Sequence, residues 1–405
     1  MHFDFSPEER EIAASCREFA LAELAPLDAQ VDRDAAIPDE LRLRLAAQGY
    51  LARIIPQELG GLGGSVTDLC LQQEHLAYGS ITVASSVMAT NLCLTPIVLF
   101  GSKAQQERFL PPIRDGQWVG TIGITEPGAG SDAAAMTSTA MRDGDEWLLN
   151  GSKRLIDNTS VAQVFLTWAK TDPEVQPGHR GISAFVVERD QPGFVVDKVY
   201  DVIGLRGLGV GAYSMHDCRV PLANLVGEEG RGWYYLMRML EIGRTATGAL
   251  CVGLAQAAFD IAKAYALERR SFGASLSEHQ AIQLKVAETA VRIDTARMLV
   301  YRAARLIDAG ERSDRESSMA KFWAAEAAFL AANEAVQIFG GIGCTTEAPV
   351  ERYLRDARIF TIGEGTSEIQ RLVVARREFD RSRETAALGH FPDLPLLAGA
   401  TTVWR

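Results

Sequence analysis

The chain has 405 residues, 47% of them hydrophobic and 23% charged, the balance of an ordinary globular protein long enough for two or three domains. Its net charge of −11 argues against a nucleic-acid partner, because gripping a phosphate backbone needs a basic footprint. The six cysteines are scattered without a C-x-x-C pair and the six histidines without an H-E-x-x-H, which points to free thiols in a reducing cytosol and to no metal site.

The stretch Phe3 to Glu9 reads as a helix start, with Ser6 as cap, Pro7 at the first helical position and two acids in the first turn. It carries no basic leader or Arg-rich presequence, and the apolar runs downstream look too short or too interrupted to span a membrane, so a soluble cytoplasmic protein is expected. Apolar residues then recur at helical spacing through Ile12, Ala13, Cys16, Phe19, Ala20 and Leu24, and again over Leu41–Leu45 and Leu69–Leu76. Breaks are expected at Pro26, Pro38, Pro56, the glycines of 60–64, Pro96 and Pro111–Pro112. Residues 1–120 are assigned to an N-terminal helical domain.

The texture changes near Gly120. Short runs rich in β-branched and aromatic residues, Val164–Trp168, Ile182–Val187 and Phe194–Val196, lie between turn signals, and Asn150-Gly151 reads as a hairpin turn. Residues 121–235 are therefore assigned to a small antiparallel β domain. Within it, Ile122 to Asp132 carries Thr125-Glu126-Pro127-Gly128-Ala129-Gly130-Ser131-Asp132, whose small residues expose backbone N–H groups able to cradle a pyrophosphate or the polar edge of a ring. Pro127 and the lack of an amphipathic helix after it exclude a dinucleotide fingerprint, and no P-loop is present. Taken alone, the segment is either a structural turn or a ligand loop.

Long helices return after Gly232. Gly243–Leu267 has few breakers, and Val286, Ile293, Ala296, Val300, Ala303 and Leu306 repeat at steps that suit a four-helix bundle over 236–380, with 381–405 a tail. Arg269, in Ala266-Leu267-Glu268-Arg269 with Phe272-Gly273 and then His279-Gln280, offers a planar fork for a phosphate or simply ends a helix in solvent. Gln337-Ile338-Phe339-Gly340-Gly341 reads as a helix closed by a glycine pair. Last comes Glu364 between Gly363 and Gly365, followed by Thr366, Ser367, Glu368, Ile369 and Gln370. Ser367 and Gln370 form a capping-box pattern, and Ile369, Leu372, Val373 and Phe379 fall on one face of the helix they open. Flanking glycines leave Glu364 open to a flat ligand, as a general base at a narrow pocket would be, although on this segment alone an acid favoured by the helix dipole is the better reading.

Together and in this order, T-E-P-G-A-G-S-D, A-L-E-R with F-G and H-Q, Q-I-F-G-G and E-G-T-S-E-I-Q resemble the acyl-CoA dehydrogenase family of flavoproteins, over residues 3 to about 379. The resemblance implies a mainly α fold with a central β domain, FAD as cofactor, and an acyl thioester substrate carried on CoA or an acyl carrier protein. It also implies an electron-transfer flavoprotein as acceptor and a homotetramer. Glu364 would be the catalytic base. Ile122, Ile124, Thr125, Gly130, Ser131, Leu155, Ile156 and Asp157 would line the flavin. Arg269, Ser271, Phe272, Leu276, His279, Gln280, Gln337, Ile338, Gly340 and Gly341 would hold the pyrophosphate and adenosine side, partly from a neighbouring subunit, and Thr366 and Glu368 would close over the cofactor. Ser131, Glu241, Arg244, Gly363 and Gly365 would meet the substrate.

In that family the base takes the α-proton while the β-hydride passes to flavin N5. A branch takes its base from an earlier helix, but the matching position here is Gly243, which has no side chain to act. Three departures stand out: Leu155 where an aromatic residue is common, Asp157 where Thr or Ser reaches flavin N5, and Gly363 where a bulkier residue precedes the base. Gly243 and Gly363 together predict extra room beside the acyl group. The rival readings are oxidation of a carrier-bound group or of a different Cα bond, a nucleic-acid-associated member of the fold, which the acidic balance disfavours, and an inactive scaffold.

Overall fold

The structure, a computed structural model, describes residues 4 to 387; Phe3 and the end of the tail, 388–405, lie outside it. Helix α1 (Pro7–Phe19) starts with a reciprocal cap: Glu9 N–H donates to Ser6 Oγ at 3.2 Å and Ser6 N–H to Glu9 Oε2 at 2.8 Å. Helices α2 (Asp28–Asp34), α3 (Asp39–Ala47), α4 (Val66–Gly79), α5 (Ile81–Phe100) and α6 (Lys103–Arg114) follow. Pro96 sits inside α5 and Pro111 and Pro112 inside α6, so these three prolines do not break the chain as expected. Helix α5 is buried along most of its length. A helix proline costs about 3 kcal/mol, which the burial of so many apolar side chains outweighs. Pro111 and Pro112 come in the last turns of α6, where their carbonyls still accept from Asp115 and Trp118 at 2.9 Å.

The middle segment contains β1 (Gly120–Gly123), β2 (Thr139–Asp143), β3 (Glu146–Ile156), β4 (Val164–Lys170), β5 (Ile182–Glu188), β6 (Phe194–Val199), β7 (Gly211–Pro221) and β8 (Leu225–Val226). They form one sheet in the order β6-β7-β3-β2-β4-β5-β8, with β1 beside β4. Because β1 and β2 both run parallel to β4, the sheet is mixed and not purely antiparallel as expected. Long connections leave strand direction free, whereas tight hairpins force antiparallel pairing. Trp147, Phe165, Phe185 and Tyr213 fill its interior.

Asn150-Gly151 is not a turn. It lies inside β3 as a bulge, with Gly151 at φ 142° and so close to β2 that a Cβ there would fall 2.2 Å from Ser138 Oγ. Asn150 instead locks β7, its Oδ1 accepting from Asp217 N–H at 2.9 Å. The actual hairpin turn is Gly144-Asp145, between the paired residues Asp143 and Glu146.

Helix α7 (Gly232–Glu268) leads into a small ribbon of β9 (Arg270–Ser271) and β10 (Ala274–Ser275), then α8 (Gln280–Asp308), α9 (Asp314–Phe339), α10 (Val350–Phe360) and α11 (Ser367–Ala387). Helix α9 packs against α7, α8, α10 and α11. Helix α11 runs into the stretch read as a tail. Its expected apolar face is split, for Ile369 and Val373 are half-buried while Leu372 and Phe379 are exposed. Three segments, Ile81–Phe100, Gly232–Glu268 and Asp314–Cys344, are long and apolar enough to cross a bilayer, against the expectation that no run is. Their most apolar windows are 78%, 56% and 39% buried inside the fold, so their apolar character also serves helix packing.

Candidate active site

Helix α10 ends at Phe360, and the chain turns through Thr361 and Gly363 into Glu364 at φ 57° and Gly365 at φ 87°. A non-glycine residue in the left-handed region is strained by about 1–3 kcal/mol and persists only where its surroundings fix it. Five hydrogen bonds do so. Ile369 N–H donates to Thr366 Oγ1 at 3.2 Å, so the cap of α11 is Thr366, one residue before the expected Ser367. Gln370 Nε2 donates to the carbonyls of Glu364 at 3.1 Å and Gly365 at 3.2 Å. Lys321 Nζ, buried in α9, donates to the carbonyls of Phe360 and Gly365, both at 2.7 Å.

The Glu364 side chain points inward. Its Oε2 is buried without a hydrogen-bond partner among the described residues. Burial raises its pKa, against the opposing pull of Lys321 and Arg244. Arg244, on α7, likewise has a buried and unpartnered Nε. Glu241 is ion-paired with Arg238 at 2.8 Å. A Cβ on Gly243 would lie 3.2 Å from Leu92 Cδ2 and 3.4 Å from Glu364 Oε2, so Leu92 and the base already occupy the space expected to be free there. A Cβ on Gly363 would meet, among the described residues beyond its chain neighbours, Ile359 O alone within 4 Å, at 3.6 Å, and that side is open.

The other wall is the end of β3. The ladder slips between Arg154 and Ile156, and Leu155 bulges out at φ 57° with 55% of its surface exposed. Ile156 is buried, so its side chain packs into the sheet and only its backbone is available to a ligand. Asp157 follows, its carbonyl accepting from Thr121 Oγ1 at 2.6 Å. Its carboxyl is pushed up to about 7, by burial and by the charge of Glu364. The structure thus brings Asp157 and Glu364 within electrostatic reach of each other.

Ile122 in β1 and Ile124 and Thr125 in the loop beyond it are half-buried, and Gly130 and Ser131 are exposed, with nothing among the described residues within 4 Å of a Cβ at Gly128 or Gly130. Glu126 anchors it. That carboxylate accepts from Lys153 Nζ at 2.8 Å, Thr137 N–H at 2.6 Å and Ser138 N–H at 3.0 Å. Burial opposes its ionisation, but Lys153 and these donors hold it at about 2. Thr366 is half-buried and Glu368 exposed beside the Glu364 turn.

The remaining predicted residues lie elsewhere. Arg269 follows the end of α7, 26 residues after Gly243, or about 39 Å at the helical rise of 1.5 Å per residue. Phe272 tips the β9–β10 turn at φ 49° and is 98% exposed. His279 bonds the Ser271 carbonyl through a ring nitrogen at 3.0 Å, Leu276 is half-buried and Gln280 exposed. Tyr265 stacks on Phe339, ring centroids 4.1 Å apart, which places this ribbon beside the exposed Gln337, Gly340 and Gly341. Ile338 is buried and its side chain faces the core. One chain therefore does not bring the two groups of predicted cofactor residues together.

Lys321, Leu92, Glu126 and Lys153 belong to the site's construction and sequence reasoning missed them. The one available signal was a lysine at helical spacing with alanines on the apolar face of α9; an apolar leucine on a buried helix gives none.

A flavin suits what is here. An extruded apolar Leu155, a loop whose glycines have open space among the described residues where a side chain would sit, and, within electrostatic reach of Asp157, a carboxylate whose buried Oε2 has no partner among the described residues suit a flat ring with a substrate against it. The fold and such a site fit a flavin oxidoreductase, and the relatives below make it one acting on CH–CH bonds. Models of the acyl-CoA dehydrogenase N-terminal, middle and C-terminal domains match residues 6–117, 121–218 and 230–379. The chain belongs to the acyl-CoA dehydrogenase family, whose cofactor is FAD. It is 40% identical to the short-chain specific acyl-CoA dehydrogenase of Rattus norvegicus mitochondria over 371 residues, 91% of this chain and 90% of that one. Butyryl-CoA dehydrogenase from Megasphaera elsdenii has a similar structure, with a TM-score of 0.90 and 35% identity, covering 94% of this chain and 100% of that one. So has the prolyl acyl carrier protein oxidase AnaB, with a TM-score of 0.87 and 29% identity, covering 92% and 99%.

Proposed function

We propose that the protein dehydrogenates an acyl thioester between Cα and Cβ, converting an acyl-CoA to the trans-2-enoyl-CoA, with Glu364 as the base. The observation that supports this most is the Glu364 carboxylate itself, held on a constrained turn with Oε2 buried beside Gly243 and without a partner among the described residues. Bound FAD supplies the hydride acceptor. The protein's own residues do the rest. Ionised Glu364 takes the α-proton, its neighbours Lys321 and Arg244 favouring the charged form that burial resists. The backbone N–H of Glu364 serves as a donor to the thioester carbonyl, where negative charge gathers as the proton leaves. Leu92, packed where a side chain on Gly243 would sit beside the base, excludes water from the reacting carbons. Arg269, Phe272 and Gln337, too far from Glu364 to reach the same dinucleotide, hold the cofactor of a neighbouring subunit, which makes the working form a homo-oligomer, by family resemblance a tetramer. Electrons leave to an electron-transfer flavoprotein, and the enzyme works in the cytoplasm.

Stopped-flow bleaching of the flavin tests the assignment. The Glu364→Gln variant keeps FAD and binds thioesters but loses most of the reduction, since the amide preserves shape and removes the base. Near-normal reduction would transfer the role to Asp157 or Glu241. A second reading, oxidation of a carrier-bound acyl group or of another Cα bond, draws support from the likeness to AnaB and from Asp157. Comparing free CoA esters with carrier-loaded ones separates the two.

A further inference from the structure

We propose that Lys321 is a positioning residue for the base: its ammonium fixes the turn that carries Glu364 and supplies the positive charge against which that carboxylate ionises. This rests on Glu364 being the base. Lys321 has no solvent exposure and lies on the α9 face that buries Ser317, Ser318, Ala324 and Ala325. A lysine so placed needs partners, since an unpaired buried charge is costly. Its two hydrogen bonds among the described residues, both 2.7 Å, go to the carbonyls of Phe360 and Gly365. Phe360 is the last residue of α10 and Gly365 directly follows Glu364, so one ammonium ties together both ends of the segment that presents the base. The strained φ of 57° at Glu364 lies inside that clamp.

Charge acts along with geometry. The groups facing Lys321 are Cys251 and Arg244 on α7, Glu326 on its own helix, and Glu364. Glu364 is faced by Lys321 and Arg244 and, across the site, by Asp157. Burial brings Lys321 down to about 8, with Cys251 and Glu364 pulling the other way, so it is largely cationic at neutrality and loses its charge not far above it. The clamp and its field then weaken together as pH rises, a coupling that a simple helix-end brace would not show.

The test follows Glu364 directly in the FAD-loaded protein without substrate. The infrared C=O stretch of its protonated carboxyl is assigned by its absence from Glu364→Gln and titrated in wild type, Lys321→Met, Lys321→Gln and Lys321→Arg. Losing the cation should move the midpoint up by roughly one pH unit or more in the Met and Gln variants, with the acid limb of flavin reduction moving alongside. Gln retains donors for the carbonyls, so it decides the matter if Met fails to fold. Arg should leave the midpoint near its wild-type value while abolishing the alkaline decline near pH 8. An unchanged midpoint in Met and Gln, with only the melting temperature lowered, overturns the proposal and makes Lys321 a structural brace. Fast flavin reduction by Glu364→Gln would instead remove Glu364 as base, while the infrared titration still reports whether the two groups couple.

Discussion

Asp157 and Glu364 are two carboxyl groups in surroundings that disfavour charge on either, and each makes ionisation of the other harder. Such a pair holds a single negative charge over a range of pH and gives up its second proton late. Asp157, with a pKa of about 7, carries that late step. Its raised value means that charge appears on it only as pH climbs through neutrality, when it adds negative charge beside the reacting centre. Replacing it by Thr should therefore delete the ionisation near pH 7 from the pH dependence of flavin reduction and leave the lower limb set by Glu364. The reduction rate of Asp157→Thr, measured from pH 5 to 9, checks this, and an unaltered limb near 7 would place that proton elsewhere. Glu364 and Asp157 were both legible in the sequence, one from its glycine neighbours and the other as a departure from a family motif. Lys321 was not: its place among the alanines of an apolar helix face hints at burial, but nothing in the sequence names the two distant carbonyls it binds.

At the scale of elements, the helices came through because apolar spacing is a direct consequence of burial on one face, and Leu41, Leu45, Leu69 and Leu76 are indeed core residues. Local breaker and turn signals fared worse, since packing overrides them. Pro96 sits in a helix whose surroundings hold it, and Asn150-Gly151 serves a close approach to Ser138 in place of a turn. Packing also decides the shape of the pocket. The glycine at 243 predicts room, yet Leu92 from α5 fills it. Leu92→Ala should therefore enlarge the site where Gly243 alone does not, improving kcat/KM for a branched thioester relative to a linear one by roughly tenfold or more. It should also lower stability by about 2–5 kcal/mol, the usual penalty for an emptied core position. Gly363→Tyr acts from the open side and should depress turnover of bulky thioesters more than linear ones. Equal losses on both substrates would show that 363 is only a backbone device.

For the whole molecule, the helical–β–helical order was readable because the composition shifts near Gly120 and again after Gly232. How the ends of a 37-residue helix are used was not, since that depends on length in space. Gly243, about a third of the way along α7, lies where a side chain would meet the base, and Arg269 with the fully exposed Phe272 lies beyond the helix's far end. An apolar ring held out on a two-residue turn has little to do within its own chain, and a cationic neighbour on the same ribbon suits a phosphate that must come from elsewhere. If each site takes its base from one subunit and its ribbon from another, two differently disabled enzymes can complement each other. Glu364→Gln lacks the base but keeps the ribbon, and Arg269→Ala keeps the base but loses cofactor grip. Each alone should be nearly inactive, Arg269→Ala recovering in part with excess FAD. Dissociated, mixed and reassembled, they should regain flavin reduction, because some sites then combine an intact base with an intact ribbon, whereas mixing without dissociation should restore nothing. Failure of the reassembled mixture to recover, with hybrid oligomers confirmed by native mass spectrometry, would mean that each chain completes its own site.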